Sequence, residues 1–126
     1  MKFTYDNDTS KIHPKCGEIW MCDLPEREGH IQNGYRPVFI ISNNLNNMHS
    51  SILNVIPITS KQKAHHLPTH VRFRVKENNS FVHGILLVEQ ITTISAESLK
   101  ERICHVTDYG ILEGIRKAIR TQFPII

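Results

Sequence analysis

The sequence predicts an α+β fold: a small, barrel-like antiparallel sheet with a helix at its C-terminal end. Three observations carry this expectation. Short apolar or alternating runs recur between residues 16 and 94, with turn-rich stretches between them. One of them, "THVRFRV" (69–75), alternates, with Val71, Phe73 and Val75 on one face and His70, Arg72 and Arg74 on the other. Near the C-terminus, Ile111, Leu112, Ile115, Ala118 and Ile119 fall on one face of a helix. Strands first and helices mainly last is the pattern of a sheet covered on one side.

Each element has its own justification. "CGEIWMCDL" (16–24) is a first strand, apolar from Ile19 through Cys22, with a turn-rich segment after it. "PVFIIS" (37–42) is a second, rich in β-branched residues and opened by Pro37, which a strand tolerates at its first position. "NNLNNMHSS" breaks that strand as a single helical turn. "ILNVIPITS" (52–60) is a third strand, whose Pro57 indicates an edge or a bulge. "GILLVEQITTI" (84–94) is a further long strand, straight or bent, and "SAESLKERI" (95–103) is a short helix candidate before a last short strand, "ICHV". Thr107 is placed to cap the terminal helix. Arg116, Lys117 and Arg120 suit its C-terminal dipole, and Pro124 stops it.

At 126 residues the chain makes one domain with a core of its own. Residues 1–15 read as a polar, partly ordered lead-in of little functional weight, and 16–126 as the domain. No apolar run approaches the ~18 residues of a membrane span, and the N-terminus lacks the apolar stretch of a signal peptide. Cys16, Cys22 and Cys104 form no paired motif, which favours structural thiols in a reducing compartment. The expectation is a cytoplasmic protein without membrane attachment.

Net charge is only +3, but the charges are not evenly spread. From Gly29 to Lys76 there is no Asp or Glu, where even spreading would put roughly four or five. The same span holds Arg36, Lys61, Lys63, Arg72, Arg74 and Lys76, with His30, His49, His65, His66 and His70. A solvated basic face would look like this. So would a surface that polyanionic backbone approaches without repulsion.

The chemical motifs mostly exclude. His66 and His70 have helical ligand spacing, but Pro68 lies between them and a strand follows, and no paired-Cys or HExxH pattern occurs. Neither a metal site nor a cofactor is therefore expected. GxSxG, P-loop and GxGxxG patterns are absent from the sequence. Cys104 beside His105 points to the opposite face of a strand, so it reads as a buried structural thiol. What remains is a set of polar residues at the margins of apolar strands: Arg36, Thr59, Ser60, Glu89 and Gln90. Thr59 and Ser60 alone are ordinary strand-end residues. Glu89 in "LLVEQI" is less ordinary, because a carboxylate there must pair, face water or work.

Taken together, "GEIW", "GHIQNGYRPV", "IPITS", "LPTHV" and "LLVEQITTI" resemble, in order and spacing, the MazF/PemK toxins, the endoribonucleases (mRNA interferases) of type II toxin–antitoxin systems. The resemblance runs from about Gly17 to Val106. It implies an SH3-like barrel acting as a homodimer, metal-independent cleavage of single-stranded RNA at short motifs, and inhibition by an acidic MazE-like antitoxin. By position, Arg36 matches the family's catalytic arginine and Thr59 the threonine at the scissile phosphate. His30 and Glu89 match a histidine and an acid implicated in PemK-type members. Gln32, Gly34, Pro37, Asn47, Ser60, Leu67, Pro68, Thr69, His70 and Gln90 match positions lining the RNA groove, and Lys61 lies beside them. Where many members have Glu before the glutamine, this chain has Ile31, so the titratable candidates nearby are His30 and Glu89.

RNA carries its own nucleophile, the 2′-hydroxyl, so the protein need only align it, stabilise charge on the phosphate and move protons. Arginine suits the second task, being always protonated and able to grip two oxygens. It is a poor general base for the same reason. The loops 25–35 and 61–68 would read the bases, and Lys61, Lys63, Arg72 and Arg74 would supply salt-dependent backbone attraction. Two other classes compete: a CcdB-like toxin that binds DNA gyrase without catalysis, and an RNA-binding module that has lost chemistry. The terminus "FPII" lacks the Trp-Gly-Ile ending on which the CcdB mode depends.

Overall fold

A computed structural model describes residues 13–61 and 66–126, so most of the lead-in, together with Lys63 and His65, lies outside the described residues. Among these residues the chain forms seven strands: β1 (Glu18–Leu24), β2 (Gly34–Ile40), β3 (Ile52–Thr59), β4 (His70–Glu77), β5 (Ser80–Leu87), β6 (Thr92–Ser95) and β7 (Leu99–His105). A short helix α1 (Asn44–His49) joins β2 to β3, and α2 (Tyr109–Gln122) closes the chain. The pairing is antiparallel in the order β4-β5-β3-β2-β1-β7, with β6 also on β3. The α+β expectation holds.

The central strands read as unbroken apolar runs because both of their faces are buried. Trp20, Cys22, Val38, Ile40 and Val55 turn into one core with Leu53, Ile94 and Leu99. Their neighbours Ile19, Phe39, Ile56 and Ile58 turn into a second, which Ile115 and Ala118 of α2 cover. The face expected for α2 is thus the one that packs, with Ile111, Leu112 and Ile119 at its margin. Its cap is Asp108, whose Oδ1 accepts the Ile111 N–H at 2.9 Å, rather than Thr107.

Three other elements differ from expectation. Pro57 is not on an edge, since β3 pairs on both sides. It sits where one side of β3 passes from β6, ending at Val55, to β5, beginning at Ile58. A residue without an N–H costs least at such a break. The long strand expected over 84–94 is two strands, β5 and β6, separated by a 3-10 turn at Val88–Gln90. The helix expected over 95–103 is one 3-10 turn, Ala96–Ser98, followed by β7, which pairs along β1.

At the far end of β1, Glu18 is buried. Its Oε1 accepts the Lys15 N–H at 2.7 Å and the Trp20 Nε1–H at 3.0 Å, and its Oε2 accepts from Arg102 Nε at 2.5 Å. Burial alone would raise this carboxyl. The bonds from Trp20, Lys15 and Arg102 outweigh it and hold its pKa below the usual range.

Candidate functional site

Where β2 emerges from its loop, a hollow of about 600 Å³ opens to solvent. The loop 29–33 and Arg36 form one wall, Thr59 and Lys61 a second, Leu67 and His70 a third, and Glu89 and Gln90 a fourth. Residues distant in sequence meet here because β3 and β5 end together, with Thr59 paired to Ile85. The 3-10 turn after β5 then faces the β1–β2 loop.

Arg36 lies within β2, paired with Cys22 across the ladder. Its side chain is held by two neutral oxygens: Nε donates to the Asn33 carbonyl at 2.6 Å, and Nη1 donates to Gln32 Oε1. Three of its five N–H donors are left for a ligand, and no carboxylate partner neutralises its charge among these bonds. The loop that aims it is itself clipped in place. Gln90 Oε1 accepts the Gln32 N–H at 2.7 Å, and Gln90 Nε2 donates to the His30 carbonyl at 3.1 Å. Glycine at Gly29 and Gly34 serves the turn on either side, at φ of +64° and +78°.

Thr59 is buried, yet it lines the hollow. Its Oγ1 accepts the Lys61 N–H at 3.2 Å, which leaves the hydroxyl proton to be donated elsewhere. Opposite, Glu89 has both oxygens occupied: Oε1 accepts the Thr69 hydroxyl at 2.9 Å, and Oε2 meets His70 Nε2 at 2.9 Å. His70 Nδ1 accepts the Leu67 N–H at 3.4 Å, which assigns the ring proton to Nε2 and makes His70 the donor to Glu89. The carboxylate therefore fixes the start of β4 and, through it, the segment 66–69.

Of the residues singled out in the sequence, His30, Gln32, Arg36, Thr59, Lys61, Leu67, His70, Glu89 and Gln90 line this one hollow. The others do not. Asn47 is fully buried in α1, where Nδ2 donates to the Ser42 carbonyl at 2.8 Å and Oδ1 accepts from Ser42 Oγ, so it braces a turn away from the hollow. Thr69 is buried beneath Glu89 and acts as its support. Pro37 follows Arg36 along β2 and so turns to the opposite face, across from Met21. Gly34 opens β2, Pro68 borders a groove against α2, and Ser60 borders a neighbouring hollow. Asn33, the backbone anchor of Arg36, was not visible in the sequence, and neither was Gln90's role as a clip.

The three thiols stand apart from the hollow. Burial pushes all of them up, Cys22 to about 11 with Asp23 adding to the effect, and Cys104 packs within the core beneath α2. Among the described residues no group of three or more His, Cys, Asp or Glu side chains is arranged to hold a metal ion. None of the described helices is long and apolar enough to cross a membrane.

Comparison with known proteins identifies the family and the fold. Endoribonuclease EndoA of Bacillus subtilis (strain 168) is 31% identical over 112 residues, spanning 89% of this chain and 96% of that protein. MazF from Deinococcus radiodurans superposes with a TM-score of 0.75 at 19% identity, covering 90% of this chain and 99% of its own. A mycobacterial endoribonuclease solved with its cognate antitoxin gives 0.71 at 24% identity, covering 90% and 97%. At those identities the two structures speak for the fold, which is that of MazF. The model of the PemK-like, MazF-like toxins of type II toxin–antitoxin systems matches residues 15–123, and the chain belongs to that family.

Proposed function

We propose that the chain is the toxin of a type II pair and a sequence-specific endoribonuclease, cutting single-stranded RNA to 2′,3′-cyclic phosphate and 5′-hydroxyl ends. The observation that carries this reading is Arg36: a guanidinium aimed by neutral oxygens, with donors to spare, in an open hollow beside the Thr59 hydroxyl. A phosphate placed between them would receive a forked pair of bonds from Arg36 and one from Thr59. Charge growing on its non-bridging oxygens as the 2′-hydroxyl attacks would be stabilised by donors that need no rearrangement. For the proton of the attacking hydroxyl the hollow offers two groups, His30 on its rim and Glu89, whose oxygens are both engaged by Thr69 and His70. As the bond to the 5′-oxygen breaks, that oxygen would take a hydrogen bond from Arg36 and its proton from the solvent to which the hollow opens. Leu67 and Ile31, both about half exposed, offer apolar surface on which splayed bases can lie.

The rest of the proposal follows the family. The acid-free span suits an acidic, partly disordered antitoxin that folds into the same hollow and competes with RNA. The toxin works as a homodimer in the cytoplasm, without a metal or other cofactor. EndoA is named an endoribonuclease, which supports the reaction class. The test is incubation of purified protein with a long mixed-sequence RNA in chelator, followed by mapping of the cut ends. Cuts at one short motif with cyclic phosphate termini are expected. Retention of RNA without cutting would leave only a binding module.

A further inference from the structure

The outward face of the β4–β5 hairpin carries a row of cations that the hollow does not use. Antiparallel register puts Arg72 opposite Ile85, Arg74 opposite His83 and Lys76 opposite Phe81, and Ile85 in turn opposite Thr59 of β3. Partners in a ladder share a face, so these side chains stand on the same side of the sheet as His70, Leu87 and Thr59, which line the hollow. Arg72, Arg74 and Lys76 are exposed and follow His70 at every second position, about 6.6 Å apart along the strand. That repeat is comparable with the step between phosphates in an extended single strand.

Two further features belong to the same face. Phe81 is 50% exposed, and the Arg74 guanidinium lies over its ring at 3.9 Å from the centroid. A guanidinium stacked on an aromatic ring presents a second flat surface to a base. Around them is a hollow of about 540 Å³ reaching back to Ser60, next to Thr59, and no carboxylate is among its lining residues. The hairpin's acid, Glu77, pairs with Ser80 one position on and so turns to the opposite face. Gly84 pairs with Phe73 and turns to the opposite face, where a Cβ would stand 2.8 Å from Ile58 Cγ2 in the core, so it lends the hollow only backbone.

We infer that this face is a second RNA subsite: Arg72, Arg74 and Lys76 track the phosphates of nucleotides flanking the cut, and the Arg74–Phe81 stack holds one of their bases. Electrostatic tracking with an aromatic platform is how proteins hold single strands without reading sequence. The inference rests on the endoribonuclease reading of the neighbouring hollow, and it adds a dependence on substrate length. A short RNA fills the hollow alone, whereas a longer one also lies along β4.

The test uses the full chain and two RNAs built around a mapped cut site, one minimal and one extended by several uridines on both sides. Each is made with deoxyribose at the cut for binding and unmodified for cleavage. Extension is expected to tighten binding on the order of tenfold or more. The double variant Arg72→Ala/Arg74→Ala should lose most of that gain and lower the slope of log K against log salt by about 0.7 per lost phosphate contact. Phe81→Ala should shrink the gain while leaving the salt slope in place. Equal affinity for both lengths in the parent protein, or a gain that survives in the double variant, overturns the subsite. So does a double variant that loses affinity for polyglutamate but keeps the gain from RNA length, which would assign the face to an acidic protein segment. If no cut site can be mapped, the endoribonuclease reading fails by itself, and the same binding comparison on a short and a long uridine oligomer still decides the subsite.

Discussion

Two arginines of this molecule sit in opposite circumstances. Arg102 donates from Nε to Glu18, a carboxylate whose side chain is only 3% exposed and which also accepts from Trp20 and the Lys15 backbone. Arg36 donates to a carbonyl and an amide oxygen, at the wall of an open hollow. The first charge is spent inside the protein and the second is held ready. The acids show the same contrast. Glu18 and Glu89 each have both oxygens bonded, so full satisfaction does not separate a structural carboxylate from one at a site. What separates them is the neighbourhood: Glu89 borders space in which other side chains have donors left over.

Removing Arg36 should break this contrast most severely. Arg36→Ala is expected to fold normally and lose at least ~10²–10³-fold in cleavage, the scale of deleting a preorganised donor to developing negative charge. Arg36→Lys should recover little, because a point charge cannot make the fork. Arg102→Ala, the matched change, should leave turnover per folded molecule unaltered. Cleavage rates on one mapped RNA, normalised to folded protein by circular dichroism, decide between them. A full-rate Arg36→Ala protein would remove the residue from the mechanism.

Smaller effects are expected at the acids. Glu89→Gln keeps an acceptor for Thr69 but turns an amide toward His70 Nε2–H, loosening the segment 66–69. Cleavage should drop by about tenfold, while stability changes by less than ~1.5 kcal/mol. Glu18→Gln should do the reverse. It leaves bonds to Trp20, Lys15 and Arg102 poorly made and costs about 2–3 kcal/mol, with unchanged turnover per folded molecule. Urea unfolding midpoints together with initial rates would show whether the two acids really diverge. If both variants lose only stability, Glu89 is as structural as Glu18.

The sequence made this contrast only half legible. Glu89 stood out because it interrupts an apolar run, and the structure explains the interruption as a 3-10 turn between β5 and β6. Glu18 also sits in an apolar strand, but nothing local in the sequence reveals its partner 84 residues away. β7 was misread for a related reason. Residues 95–103 are rich in good helix formers, and two bulges in β7, which leave Ile103 and Lys100 as extra residues against β1, spoil the alternation that would mark a strand. Long-range pairing decided what local propensity could not. The hollow was more legible: most of its lining comes from short blocks at the ends of strands, which a polar residue after an apolar run marks locally. Asn47 was the failure, a polar residue whose partner, Ser42, is local and buried.

The smallest effect tests the electrostatic origin of the Glu18 anchor. Burial opposes its ionisation, and the bonds from Trp20, Lys15 and Arg102 overcome that opposition, leaving the folded pKa below the unfolded one. A depressed carboxyl stabilises the fold fully above the unfolded value, roughly pH 4.3, and the contribution fades as pH falls through the lower folded value. Glu18→Gln has no proton to lose. The stability gap between parent and variant should therefore be constant near neutrality and narrow below about pH 4. Arg102 is about half exposed, so salt should trim the gap slightly at every pH, while the bonds to Trp20 and Lys15 persist. Urea midpoints measured from pH 3 to pH 7 give the curve. A gap that widens in acid would mean that the carboxyl is buried as a neutral acid, and that Arg102 is as free as Arg36 to meet an anion.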